Sequence, residues 1–423
     1  MKNKQALVPK LRFREFEKVW KKNELSQVAQ IQRGRFSPRP RNNPIYYNGS
    51  IPFVQTSDIV NSNGKVSTYK QTLNKKGLKV SKLFLEGSIL MTIAANIGYA
   101  GVLQMDMACP DSLVGFSCYP ETHNYFLNYI FEIEQPRMDY LAVEAAQKNI
   151  NIAFLEPYIV SIPTLPEQTK IAAFLTSVDD RIDQLKRKKS LIQDYKKGVM
   201  QKIFSQELRF HDDQGKPFPD WVEKKLGEVY TYQTTNSYSR DKLNYESGVV
   251  YNIHYGDIHT KFNAHFYLSD ERVPYLNSDI DIEKIKPECF LKIGDIVLAD
   301  ASEDYADIGK SIEIIDLNEA QVVAGLHTYI LRPDTSEISK GFGAYLMQAR
   351  PTRLEVMRVA QGTKVLGLPK AYFSFVVLNI PHPEEQTKIA NFLSAIDRKI
   401  EQAATQITEN QTYKKGLLQQ MFV

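Results

Sequence analysis

The sequence predicts an α+β chain of two globules alternating with two long helices, made by duplication within one polypeptide of 423 residues. Three observations carry that expectation. PEQTKIAAFL, from Pro166, returns as EEQTKIANFL from Glu384, and the copies run in step at an offset of 218 through Phe204 and Phe422, with 18 of 38 positions identical. Both copies hold apolar residues at a 4-3-4-3 spacing, the 3.5-residue period that keeps one stripe of a helix facing a partner. The stretches between them are short β-rich runs, such as SIPFVQTSDIV and GVVYNIHYGDI, separated by Gly, Asn, Asp and Pro turn signals. One repeat of that length points to gene duplication, not to a solenoid.

Residues 1–163 are expected to form the first globule. Its opening, LRFREFEKVWKKNELSQV, resembles LRFHDDQGKPFPDWVEKKLGEV from Leu208, with Trp20 matching Trp221 and Leu25/Val28 matching Leu226/Val229. FVQTSDI ending at Ile59 resembles YNIHYGDI ending at Ile258, FLEGSIL resembles FLKIGDIV, and AAQKN at 145–149 stands opposite VAQGT at 359–363. Residues 164–204 are expected to form the first long helix, with a seam of Ile171, Leu175, Val178, Ile182, Leu185 and Ile192. Residues 205–381 form the second globule. Residues 382–423 form the second helix, with a seam of Ile389, Leu393, Ile396, Ile400 and Ile407.

Neither helix has an internal proline, and each has one at its head, Pro166 or Pro383. A periodic run beyond about 25 residues without internal caps is a coiled-coil pattern; an amphipathic helix lying on its own globule is the alternative. Lys189, Lys196, Asn410 and Lys414 interrupt the seams, at the kind of position that sets register. Gly198 and Gly416, each costing about 1 kcal/mol in a helix interior, are expected to mark a frayed end or a close contact. The repeated Glu, Gln and Lys are expected to start the helix and offer a docking surface. Each helix would extend roughly 57 Å at 1.5 Å per residue, a strut and not a catalytic site.

Apolar content of 43% and charged content of 24% are those of an ordinary globular protein. No run approaches the roughly 18–20 apolar residues needed to span a bilayer, and MKNKQALVPKLRF lacks the apolar core of a signal peptide. Cys109, Cys118 and Cys289 form no CxxC pair, so a reducing, cytoplasmic location is expected. The net charge of +4 is unevenly spread: residues 1–166 hold 20 Lys and Arg against 13 acids, and residues 205–384 hold 19 against 27. A basic first half suggests a polyanionic partner.

Catalytic motifs fail on inspection. Asn43-Pro-Ile-Tyr46 lacks the second proline of an amino-methyltransferase motif, and no glycine-rich methyl-donor turn accompanies it. Ile308-Gly-Lys-Ser311 ends like a phosphate-binding loop, but Asp304 stands where its first glycine must be. Pro219-Asp220 with Glu223-Lys224-Lys225 is too tightly spaced to close two strands around a metal. His254, His259 and His265 with Asp257 match no common zinc spacing. No nucleophile, base and orienting group assemble, and neither a metal site nor a bound cofactor is expected in this chain.

A nucleic-acid surface is better supported. QRGRFSPRPR places Arg33, Arg35, Arg39 and Arg41 around Phe36 on a proline-broken loop, suited to phosphates and guanine edges, with a plain solvated loop as the alternative. Lys70, Lys75, Lys76 and Lys79 suit phosphate positioning, and Gln147 and Lys148 lie in the AAQKN segment. In the second globule Tyr238, Arg240, His254, Tyr255, His259 and Lys261 could touch base edges. Arg350, Arg353, Arg358, Gln361 and Lys364 add later positive and polar groups, while the acids of 279–319 are expected on a face away from DNA.

The duplicated EQTKIA heads, the YKKG tails at 195–198 and 413–416, and the LRF…W…LxxV openings together resemble the specificity subunits of type I restriction–modification systems, over essentially the whole chain. The resemblance implies that each globule is a target recognition domain reading one half of a split DNA site. It also implies that the two helices pair as an antiparallel coiled coil holding the domains apart with pseudo-twofold symmetry. It implies double-stranded DNA, two methyltransferase subunits and restriction/translocase subunits as partners, with S-adenosylmethionine, ATP and magnesium belonging to those partners. Major-groove faces recur every 34–36 Å or so, a span a strut of on the order of 57 Å can bridge. A self-sufficient DNA methyltransferase or nuclease, and a coiled-coil scaffold binding only protein, remain the alternatives.

Overall fold

The computed structural model describes residues 7–144 and 149–423. The chain divides into two compact units, 1–187 with 404–423, and 188–403. Each unit therefore takes in one globule, the head of one long helix and the tail of the other.

In the first unit a five-stranded sheet runs in the order Ala29–Arg33, Leu113–Cys118, Ile89–Thr92, Ala100–Leu103, Lys65–Val66. In the second unit the order repeats as Tyr230–Gln233, Thr328–Pro333, Ile296–Ala299, Ser311–Asp316, His265–Tyr267. The last strand in each order is parallel to its neighbour, and the first is antiparallel. The central strands, ILMT and IVLA, are buried at every position, as a strand covered on both faces requires. A smaller four-stranded sheet in each unit contains a parallel pair, Tyr47–Phe53 with Met107–Cys109 and Val250–Ile253 with Gln321–Ala324. Each globule opens with a strand antiparallel to the one that feeds the long helix: Lys21–Glu24 on Ile159–Ile162, and Val222–Lys225 on Val377–Ile380.

The long helices span Leu165–Phe204 and Pro383–Met421. In the first unit Ile171, Leu175, Val178 and Ile182 share one core with Leu417, Leu418 and Met421, and with Trp20, Phe116 and Phe126 of the globule. In the second, Ile389, Leu393 and Ile396 share a core with Val199, Ile203 and Phe204, and with Trp221 and Phe342. Head lies against tail in both units, which is the antiparallel pair. A phenylalanine at the end of each helical segment closes a globule: Phe422, just past the second helix, sits 6.0 Å from Trp20, and Phe204, the last residue of the first, 5.9 Å from Trp221. The two sequence readings of the stripe thus merge, because the residues facing the other helix also enter the globule's core. Leu185 is buried, whereas Ile192, Ile400 and Ile407 are only half-buried.

The repeated head is a structural device, which corrects the docking surface expected of its Glu, Gln and Lys. Glu167, 1% exposed, accepts two hydrogen bonds from the Arg12 guanidinium, both 2.8 Å, and one from Trp20 Nε1 at 3.2 Å. Glu385 does the same for Arg209, at 2.8 and 2.9 Å, and Trp221 Nε1, at 3.1 Å. The LRF, W and EQ fragments are therefore one buried ion pair written in three places. Gln168 accepts from the His123 amide and donates to the Glu121 and Pro163 carbonyls; Gln386 accepts from Ser339 and donates to Glu337 and Pro381. Lys170 and Lys388 reach Glu15 and Asp213 on their own globules.

The first lysine of each YKKG tail crosses between helices. Lys414 bonds Asp179 at 2.9 Å, and Asp179 accepts from the Tyr129 hydroxyl at 2.7 Å. Lys196 bonds Asp397 at 2.7 Å, and Asp397 accepts from Tyr345 at 2.7 Å. Burial, then the neighbouring aspartate, pushes both tyrosine hydroxyls well up from their ordinary range. Gly198 and Gly416 depart from expectation: both lie inside continuous helix, and a Cβ at either would meet nothing within 4 Å. No described helix is long and apolar enough to cross a membrane.

Candidate nucleic-acid interface

Residues 30–83 hold ten lysines and arginines against one acid, Asp58, which is itself buried and accepts the Gln55 amide. A small core of Phe36, Phe53, Leu73 and Ala108 supports this lobe, with Tyr46 and Tyr47 packed on it. The arginine loop is pinned and not freely solvated. Arg33 donates to the Asp111 carbonyl at 2.7 Å, and Arg41 pairs with the Asp111 carboxylate at 2.7 Å. Arg35 donates to the Lys79 and Ser81 carbonyls, and Arg39 to those of Phe36 and Pro38. All four stay exposed, as do Lys70, Lys75, Lys76 and Lys79. The lobe is therefore strongly positive at its surface, with its arginine heads held in place. Gln147 and Lys148 lie outside the described residues.

In the second unit one buried carboxylate gathers several sequence candidates. Asp257 accepts from both Arg240 terminal nitrogens, at 2.8 and 3.0 Å, and pairs with Lys261 at 2.8 Å. Burial pushes this carboxyl up, but the hydrogen bonds from Arg240 and Lys261 outweigh it and leave it below the usual carboxylate range. Arg240 also touches His254 Nδ1 at 3.2 Å, and burial followed by Arg240's charge lowers the His254 imidazole. Tyr255 lies over this node, its ring 4.7 Å from His254, 6.2 Å from His259 and 5.5 Å from His327. Tyr238 is half-buried against the core of the smaller sheet.

Among the later candidates, Arg350, Arg358, Gln361 and Lys364 are exposed, Arg358 pairing with Glu355 at 2.7 Å. Arg353 is spent on the protein: its guanidinium donates to the Ala306 and Ile308 carbonyls at 3.0 and 2.5 Å. That contact, with the pairing of Ala301–Ser302 on Leu366–Gly367, brings part of the acidic stretch beside the basic one, so the acids are not confined to a remote face. Sequence reasoning missed Asp111, which carries no repeat signal, and His327, which faces Asp300 at 3.4 Å. Among the described residues no group of three His, Cys, Asp or Glu is placed to hold a metal ion.

Comparisons with known proteins follow the same lines. The family profile described as the type I restriction modification DNA specificity domain matches residues 17–194 and 219–409. The chain is 28% identical to the type I restriction enzyme MjaVIII specificity subunit of Methanocaldococcus jannaschii over 253 residues, 57% of this chain and 56% of that protein. It is 20% identical to the MjaIX specificity subunit of the same organism over 247 residues, 55% and 56% of the two chains. The chain thus spans just over half the length of the curated relatives it matches. Its fold is similar to that of a type I restriction–modification system S subunit from M. genitalium, with TM-score 0.59, 15% identity, and 98% and 99% of the two chains covered. It is also similar to a chain from a study of complex assembly and conformational transition of the type I R-M system, with TM-score 0.54, 17% identity, and 94% and 96% covered.

Proposed function

Because this chain belongs to the type I restriction modification DNA specificity family, we propose that it is the non-catalytic subunit that reads a bipartite, asymmetric DNA site and brings adenine-methyltransferase and restriction subunits to it. The observation that carries the reading is the doubling of one globule: the same five-stranded order and the same buried Glu–Arg–Trp node, with differing residues between them. A repeated frame with unlike contents suits two unlike half-sites. The positive lobe of the first unit supplies the salt-dependent attraction to phosphates that such reading needs.

Two methyltransferase copies would dock at equivalent places on this frame. Tyr195 and Tyr413 are each 55% exposed, and Gly198 and Gly416 leave open space beside them, so each unit offers the same bare helical surface. S-adenosylmethionine, ATP and magnesium would be held by the methyltransferase and restriction/translocase partners, and the assembly would work on double-stranded DNA in the cytoplasm. The test is a globule exchange. With the chain co-expressed with its methyltransferase, replacing residues 11–163 by the equivalent globule of another family member should change one half of the methylated motif. A change in both halves, or in neither, contradicts the proposal.

A further inference from the structure

We infer that Gln55–Ser57 in the first unit and His254–Gly256 in the second are the segments that set which bases each unit accepts, with Gln55 and Tyr255 as the principal specificity-determining side chains. The inference rests on the DNA-reading function proposed above and locates it within the molecule.

Strand register shows the two segments to be the same place in the fold. Ala108 pairs antiparallel with Leu83 and parallel with Phe53; Val323 pairs antiparallel with Phe290 and parallel with Asn252. Phe53 is therefore equivalent to Asn252, and Gln55-Thr56-Ser57 to His254-Tyr255-Gly256. The frame around them is kept: Val54 and Ile253 are fully buried before them, and Asp58-Ile59 and Asp257-Ile258 are buried after them. Only the side chains between these fixed points are exchanged, and Thr56 and Tyr255 are half-exposed at matching positions. A constant turn with variable contents is what two readers of different half-sites require.

The surroundings favour nucleic acid at both segments. Gln55 Nε2 donates to Gln71 Oε1 at 3.1 Å, and Thr56 meets Ser112 at 3.4 Å, next to the aspartate that anchors Arg33 and Arg41. The first turn thus offers amide groups, suited to an adenine edge, beside exposed arginines of the kind that contact phosphates. Tyr255 presents a half-exposed aromatic ring against His254, which touches Arg240, and the adjoining Asp257 holds Arg240 and Lys261. Of the carboxylates nearby, Asp58 turns inward to a backbone amide, Asp111 pairs with Arg41, Asp257 is paired with two cations, and Asp300 faces the His327 imidazole.

The test uses the full chain co-expressed with its methyltransferase partner, with methylated adenines mapped across the genome. Gln55→Met and Tyr255→Met keep side-chain bulk, and Gln55→Ala and Tyr255→Ala remove it. The Gln55 variants should lose discrimination, roughly 5- to 150-fold at one or two base pairs, in one half-site only. The Tyr255 variants should do so in the other half-site only. Unchanged motifs in both methionine variants overturn the inference, and so does an equal loss at both half-sites in a complex of unchanged melting temperature. Failure of the parent reading looks different, since the unaltered chain would then give no bipartite motif.

Discussion

Glu167 and Glu385 each tie the head of a long helix to the start of a globule. Each carboxylate is sealed from solvent and holds an arginine and a tryptophan from the start of its globule. Removing one partner of a buried pair leaves an uncompensated charge, at a cost of about 3–5 kcal/mol. Glu167→Ala or Glu385→Ala should lower stability by that order in denaturant unfolding, whereas breaking the exposed Lys388–Asp213 pair should leave the unfolding midpoint nearly where it was. The sequence displayed these glutamates twice but could not show that they point inward, because a helix head looks alike whether it caps, docks or is buried. Glu313 carried no such mark. Sealed at 1% exposure, it accepts the Gly341 amide, and the Ala344 amide at 2.7 Å. Burial pushes its carboxyl up to about 7. A raised folded-state value gives stability that is present below about 4.5 and lost as pH rises through about 7. Melting curves should therefore show Glu313→Gln gaining on the unaltered chain as pH rises across that window.

At the scale of elements, the long helices were the most legible part of the chain. Their 4-3-4-3 spacing survives in Ile171, Leu175, Val178 and Ile182, all buried. The sequence could not show that this stripe serves a globule and a second helix at once, since periodicity reports a buried face and not what covers it. Gly198 and Gly416 show the same limit, as a glycine looks the same in a letter string whether its neighbours are close or distant. Because each sits in continuous helix with nothing near its missing Cβ, Gly198→Ala and Gly416→Ala should each stabilise by about 1 kcal/mol, read as a higher unfolding midpoint. The short strands were found as runs, but their order was not, because pairing between distant strands is set by tertiary packing. An insertion of four residues after Lys189 lengthens the helix by roughly 6 Å. It should change the spacer of the methylated motif and leave both half-sites as they were.

Across the whole molecule, duplication explains why so few residues repeat and why those few matter. The kept residues build the frame: Glu–Arg–Trp, the Gln bridge, and the Tyr–Asp–Lys node in which each helix supplies the lysine for the other's aspartate. The exchanged residues include Gln55–Ser57 and His254–Gly256, which follow equivalent strands of the two smaller sheets. Charge counting found the basic lobe of the first unit, but it overstated the separation of charge in the second, where Arg353 ties the acidic loop beside a basic helix. Arginines such as Arg240 read in sequence as free cations because their buried partner, Asp257, is distant in the chain. The central claim is that one chain reads two different DNA half-sites without doing chemistry. Its most direct test is genome-wide mapping of methylated adenines in cells that carry this chain with its methyltransferase partner, against cells in which the chain is deleted. A single asymmetric motif of two unlike halves at a fixed spacing, lost on deletion, is the expected result; a continuous short motif, or methylation that persists without the chain, contradicts it.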